Sequence, residues 1–315
     1  MDSLIFSLNA VLPLFLLVLL GYGLKRMGMF SDEWLTIANN FSFKVTLSVL
    51  LFYDTFTADT SVSISPQVVA FAVLGVIGVT LLSYMTVPFI VKDRFRTGVV
   101  IQGIFRSNFL LFGMPLAINM FGNVGRPIAA TLVAIVIPLF NLLAVITLTV
   151  FNKNSGGRID VLKLLKGVVT NPLIIGCALG YLLRAIHFSL PQVALSTLSQ
   201  VAGVAVPLAL IILGGQFKFN GFLKNIKTVS TVVLVKLIIV PIIMVFIAVS
   251  MGFRGVELGV LMTIFGAPGA VSSSIMAYGM DCDGDLAGQI VVLGTLVSVF
   301  SMFAFIFILK TLALI

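Results

Sequence analysis

Ten stretches of this chain stay apolar for about the 20 residues that a helix needs to cross a bilayer core. They run near 4-24, 34-56, 66-91, 98-121, 127-151, 167-186, 194-216, 228-251, 256-279 and 286-312. In hydrocarbon each backbone amide must find its partner within the protein, so runs of this length fold as helices. With 60% hydrophobic and 10% charged residues and a mean hydropathy of +1.21, the chain lies far outside the soluble range. The fold class expected is an all-α polytopic membrane protein. Asp2 in place of a basic start, and the lack of an A-x-A-like site after the first run, make that run a retained span and not a signal peptide. No connection is long enough for a soluble domain; the longest runs from Asn152 to Lys166.

Two of the runs break at proline within small, polar sequence. The first break is SNFLLFGMP, Ser107 to Pro115; the second is FGAPGAVSSSIMA, Phe265 to Ala277. A proline within a helix leaves the carbonyl four residues earlier unpaired, here at Leu111 and Ile264, and in lipid such a group needs another partner. Broken helices at matching places in two halves of a chain point to a transporter's substrate site.

The halves do match. Residues 13-25, PLFLLVLLGYGLK, and 172-184, PLIIGCALGYLLR, share six of thirteen positions at an offset of 159. The offset carries the first run onto the sixth and, with small gaps, the broken fourth onto the broken ninth. Five spans separate equivalent positions. Because five is odd, the copies cross the membrane in opposite senses, as in the inverted repeats of secondary transporters. The division expected is 1-152 for the first five-helix repeat, 153-166 for a cytoplasmic loop and 167-315 for the second, inverted repeat.

The net charge of +8 reflects topology and not nucleic-acid binding. Twelve of the nineteen basic residues fall in the loops opposite the termini: Lys25, Arg26, Lys92, Arg94, Arg96, Lys153, Arg158, Lys163, Lys166, Lys218, Lys224 and Lys227. The terminal side has Arg126, Arg184, Arg254 and Lys310. The positive-inside rule then puts both termini outside, in a plasma membrane such as the bacterial inner membrane. The three remaining basic residues, Lys44, Arg106 and Lys236, lie within spans, where a charge is a functional hypothesis by default. No carboxylate pair sits at mid-membrane, so the bias is toward an anionic substrate. Arg106, two residues before Asn108, is the candidate to receive a carboxylate in bidentate fashion. Lys44 and Lys236 are candidate charge partners of an anion or of an ion pair that opens and closes. Asn108, Gly113, Pro115, Gly266, Pro268, Ser272 and Ser273 are expected to line the site, where broken-helix N-termini favour an anion.

One histidine and two distant cysteines, Cys177 and Cys282, exclude a metal cofactor and a disulfide framework as organising features. Asp281-Cys282-Asp283-Gly284-Asp285 lacks the later ligands of a calcium loop, and neither H-E-x-x-H nor G-x-S-x-G occurs. No enzyme activity is expected.

The residues resemble the auxin efflux carrier family, which includes plant PIN proteins and bacterial carriers of small carboxylates. The resemblance rests on Ser107-Asn108, Gly113-Met114-Pro115 and Phe121-Gly122, then Ala267-Pro268-Gly269-Ala270, Tyr278-Gly279-Met280-Asp281 and Gly294-Thr295-Leu296-Val297-Ser298. It implies ten transmembrane helices in two inverted five-helix repeats, with broken fourth and ninth helices crossing at mid-membrane. It also implies an elevator-like cycle for a mono- or dicarboxylate and dimerisation through scaffold helices. The bile-acid sodium symporters share this architecture; a sodium-coupled carrier of that kind and a transporter-derived anion receptor are the alternative readings. Sodium, protons or no coupling ion all remain open. One departure is Ser48 in VTLSVLLF, where the family often has proline; Pro207 keeps the proline at the equivalent place.

Overall fold

The computed structural model describes residues 2–57, 64–151, 170, 172–216, 225–270 and 272–315. The described residues form helices and no strand: α1 (Asp2–Arg26), α2 (Asp32–Phe56), α3 (Pro66–Ile90), α4 (Arg94–Phe105), α5 (Met114–Phe151), α6 (Pro172–Ala185), α7 (Gln192–Gly215), α8 (Ile226–Ser250), α9 (Gly255–Gly266), α10 (Ser272–Gly279) and α11 (Gly284–Thr311). Six helical segments among the described residues are long and apolar enough to cross a membrane: α2, α3, the stretch Arg94–Phe151 that holds α4 and α5, α7, α8 and α11. The expected loop 153-166 lies outside the described residues, as do Lys218 and Lys224.

Helices begin where the sequence supplies an oxygen for their first free amides. Ser31, Ser65, Asp93 and Asp283 cap α2, α3, α4 and α11, each side chain accepting from a backbone N–H in the first turn, the common solution at a helix start. Pro66 follows its cap at a position where a missing N–H costs nothing. Serine and threonine inside the spans satisfy themselves on the preceding turn, as Thr80 on Val76, Thr147 on Leu143 and Thr295 on Val291. Large apolar side chains such as Leu74, Leu81, Phe89, Ile242, Phe246 and Phe300 point outward, an arrangement suited to lipid.

Three wide, π-type turns interrupt the spans, at Ser42–Thr46, Phe109–Gly113 and Val235–Ile239. The second and third lie just before Pro115 and Pro241, whose missing N–H and ring bulk spoil the regular ladder one turn back. The first precedes Ser48, whose hydroxyl donates to the Phe43 carbonyl five residues earlier. The family's usual proline is absent there, and the helix is nevertheless irregular. In α5, Gly122 has φ 56° and ψ −133°, a conformation essentially restricted to glycine. The chain turns there, so 114-121 and 123-151 are physically separate helices, and the gap expected between the fourth and fifth runs falls at this residue.

Glycines set the closest helix contacts. A Cβ on Gly21 of α1 would overlap the Ile211 carbonyl of α7, and a Cβ on Gly180 of α6 would come within 2.7 Å of the Phe52 carbonyl of α2. Gly176 abuts Ser48 in the same way, whereas Gly23, two residues from Gly21, has open space around it among the described residues. Gly180 lies 159 residues beyond Gly21, and Ile211 lies 159 beyond Phe52. The same backbone contact is thus made twice at the offset read from the sequence.

A buried ion pair ties α5 to α2. Asp54 has a side chain with no exposed surface, and Arg126, 43% exposed, donates to its Oδ1 at 3.3 Å. Removing either partner has unequal effects because only arginine can reach the surroundings. Arg126→Ala strands a buried carboxylate and should cost about 3–5 kcal/mol, whereas Asp54→Asn, which keeps the shape and leaves Arg126 partly exposed, should cost less than half as much. Thermal unfolding of the two variants in detergent checks the order.

Candidate functional site

The two breaks meet. The amide of Asn108, freed at the end of α4, donates to the carbonyl of Pro268 at 2.7 Å. α4 ends because Arg106 turns to extended backbone (φ −73°, ψ 130°), and α9 ends because Ala267 does the same (φ −64°, ψ 147°) ahead of Pro268. One backbone bond therefore satisfies a donor from the first half and an acceptor from the second. Phe112 and Gly113 donate to the Asn108 carbonyl, which restarts the chain in its π turn.

Arg106 is brought to this junction and buried, at 4% exposure. Its guanidinium donates to Asn141 Oδ1 at 2.8 Å, to Ser272 Oγ at 2.9 Å and to Met276 Sδ. All three partners are neutral, and no ion pair among the described residues includes it. A buried charge without a counter-charge is expensive. Here it is cushioned by polar atoms from α5 and α10 and by nothing of opposite sign.

A cavity of about 90 Å³ opens beside it. Asn39, Ser42, Arg106, Ser107, Asn108, Asn141 and Ser272 are its polar lining; Phe43, Leu47, Leu110, Leu111, Ile137 and Phe140 are among its apolar walls. Asn108 Nδ2 and Ser107 Oγ are buried and find no partner among the described residues. A guanidinium, an amide NH₂ and a hydroxyl thus line one small space with donor capacity to spare.

Of the residues expected from the sequence, Arg106, Asn108 and Ser272 line the cavity. Gly113, Pro115, Gly266, Pro268 and Ser273 do not. Gly113 lets the Phe109 ring and the Thr263 carbonyl approach, and Gly266 abuts Met302. Pro115 is buried at the start of α5, and Pro268 supplies the carbonyl that Asn108 uses. Ser273 is buried with an unpaired hydroxyl. Lys44 is exposed on the wide turn of α2 and is not part of the cavity wall. Lys236 is 3% exposed and donates to the Phe265 carbonyl at 3.2 Å, away from the cavity lining. Sequence reasoning missed Asn39, Ser42 and Asn141, and named Ser107 only as part of the break and not as a lining residue. Asn141 carried a usable signal, being an isolated amide within the apolar fifth run, and polar groups at that depth are functional candidates.

Cys282 is buried in the turn before α11, its thiol directed to the Leu148 carbonyl at 3.6 Å. Burial, with Asp281 and Asp283 adding to it, pushes the thiol up to about 11, so it stays protonated and unreactive. The side chain of Cys177 lies outside the described structure.

A family model described as membrane transport protein matches residues 6–306. A relative from Methanothermobacter thermautotrophicus, named as an uncharacterized transporter, is 28% identical over 302 residues that cover 94% of this chain and 96% of its own length. With the match running almost end to end, the chain is a multi-pass membrane transporter and belongs to the membrane transport protein family, the auxin efflux carrier family.

Proposed function

We propose that this transporter carries a small monocarboxylate across the plasma membrane by alternating access. The observation that carries the reading is Arg106: buried, held by neutral groups, and facing a cavity that no acid among the described residues lines. A carboxylate would supply the missing charge and accept from Arg106, Asn108 Nδ2 and Ser107 Oγ. Among the described residues Arg106 is the one cation in that lining, which favours one carboxylate over two. The apolar part of the lining, Phe43, Leu47, Leu110, Leu111, Ile137 and Phe140, suits a short alkyl or aryl chain. At about 90 Å³ the space falls well below the roughly 300 Å³ at which drug-sized pockets begin, which disfavours a steroid.

An inverted repeat and an elevator-like cycle fit the same geometry. The Gly21–Ile211 and Gly180–Phe52 contacts at one offset support the repeat. They join α1 to α7 and α6 to α2, a group suited to act as the fixed scaffold. The cavity lies between that group, through Asn39, Ser42, Phe43, Leu47 and Ala209, and the helix breaks. A sliding motion of the broken helices against α2 and α7 would carry the site from one side to the other.

Counterflow in proteoliposomes tests the substrate class. Vesicles loaded with two- to five-carbon monocarboxylates should show exchange that dicarboxylates and taurocholate compete for weakly. Exchange confined to dicarboxylates or taurocholate would overturn the assignment.

A further inference from the structure

Lys236 sits where a coupling cation would be expected and does not touch the substrate cavity. It lies on the wide turn Val235–Ile239 of α8, is 3% exposed, and its Nζ donates to the carbonyl of Phe265. Phe265 is the penultimate residue of α9, whose last carbonyls lose their helical partners because the chain leaves the helix at Ala267–Pro268. Such an end carries about half a negative charge, and here it is buried: Ile264, Phe265, Gly266 and Ala267 are all closed off. In transporters with broken helices, these half-helix C-termini and unwound carbonyls are where a coupling sodium is coordinated. Lys236 makes no ion pair among the described residues. Among the described residues its ammonium is matched to the helix end.

We propose that Lys236 is a built-in cation that occupies the carbonyl end of α9 in place of a coupling ion. The ammonium is tethered, so the charge at the break is neutralised throughout the cycle without uptake of sodium. The sodium-free cycle rests on the transport reading above, whereas occupancy of the helix end does not. This assigns different work to the two buried cations near the junction. Arg106 faces the cavity and is available to an anion, while Lys236 is committed to backbone. Shortening Lys236 should expose the Phe265 carbonyl in a space of about one lysine side chain, open to a small monovalent cation.

The test is the thermal unfolding of purified protein in detergent, in sodium chloride and in choline chloride at equal ionic strength, with no substrate. Wild type should melt at the same temperature in both salts. Lys236→Ala should melt lower than wild type in choline and gain about 2 to 4 °C in sodium. Lys236→Ser, which adds a hydroxyl to the vacated space, should behave likewise and serves if the alanine variant does not fold. Sodium-specific stabilisation of wild type would overturn the proposal, as would a folded variant indifferent to the cation. Because no carboxylate enters this measurement, its failure is separable from failure of the substrate assignment.

Discussion

Arg106→Ala is expected to lower carboxylate exchange by at least about 100-fold, the loss of one buried charge-assisted interaction of about 3 kcal/mol or more. The lost function should not come with lost stability. Arg106 is 4% exposed, and its partners among the described residues are the neutral Asn141, Ser272 and Met276, so the empty site holds a charge with no counter-charge among them. Replacing buried ions by apolar groups of similar volume is often neutral or stabilising. Arg106→Met should therefore unfold at the same or a higher temperature than wild type while failing to exchange. Arg106→Lys should restore little, because a lysine cannot present donors to Asn141, Ser272 and a carboxylate in one plane. Exchange at normal affinity by Arg106→Ala, measured in proteoliposomes, would remove Arg106 from the substrate site.

The second large effect concerns folding. Gly21→Ala and Gly180→Ala each place a methyl group against backbone of the neighbouring helix, at Ile211 and Phe52. Backbone cannot rotate away as a side chain can, so the helices must separate along their length. The expected cost is about 3 kcal/mol for each variant, which outweighs the gain of about 1 kcal/mol from replacing glycine by alanine in a helix. Gly23→Ala provides the contrast. It lies two residues from Gly21 with nothing near its Cβ direction, and it should leave stability unchanged or slightly raised. Thermal unfolding and the monodisperse fraction on size exclusion would separate the three. Equal behaviour of Gly21→Ala and Gly23→Ala would show that α1 and α7 are less closely packed than described here.

The sequence alone made both breaks visible, since proline and small polar residues cannot continue a span without consequence. The offset of 159 was also readable, and it reappears as the paired Gly21–Ile211 and Gly180–Phe52 contacts. Gly21 and Gly23 look alike in the sequence, yet only Gly21 faces α7. Helix rotation decides that, and an apolar run with glycines on several faces does not encode it strongly. The cavity residues divided similarly. Arg106 and Asn108 announced themselves as a charge and an amide beside a break. Asn141 reached the same space only through packing of α5 against α4, and Asn39 and Ser42 only through α2.

What the chain determines by itself is its class. Ten apolar runs in so few polar connections leave helices in a bilayer as the fold, because unpaired amides are too costly in hydrocarbon. Prolines and glycines then mark where those helices must break. Which way each charge faces is decided only in three dimensions. Lys44 and Lys236 look alike as lone basic residues in apolar runs, but the first is exposed and the second is bound to a helix end, while Arg106, marked by its place beside a break, faces a cavity. The reason is geometric: a long cationic side chain takes its role from the nearest acceptors, and those come from helices far away in sequence.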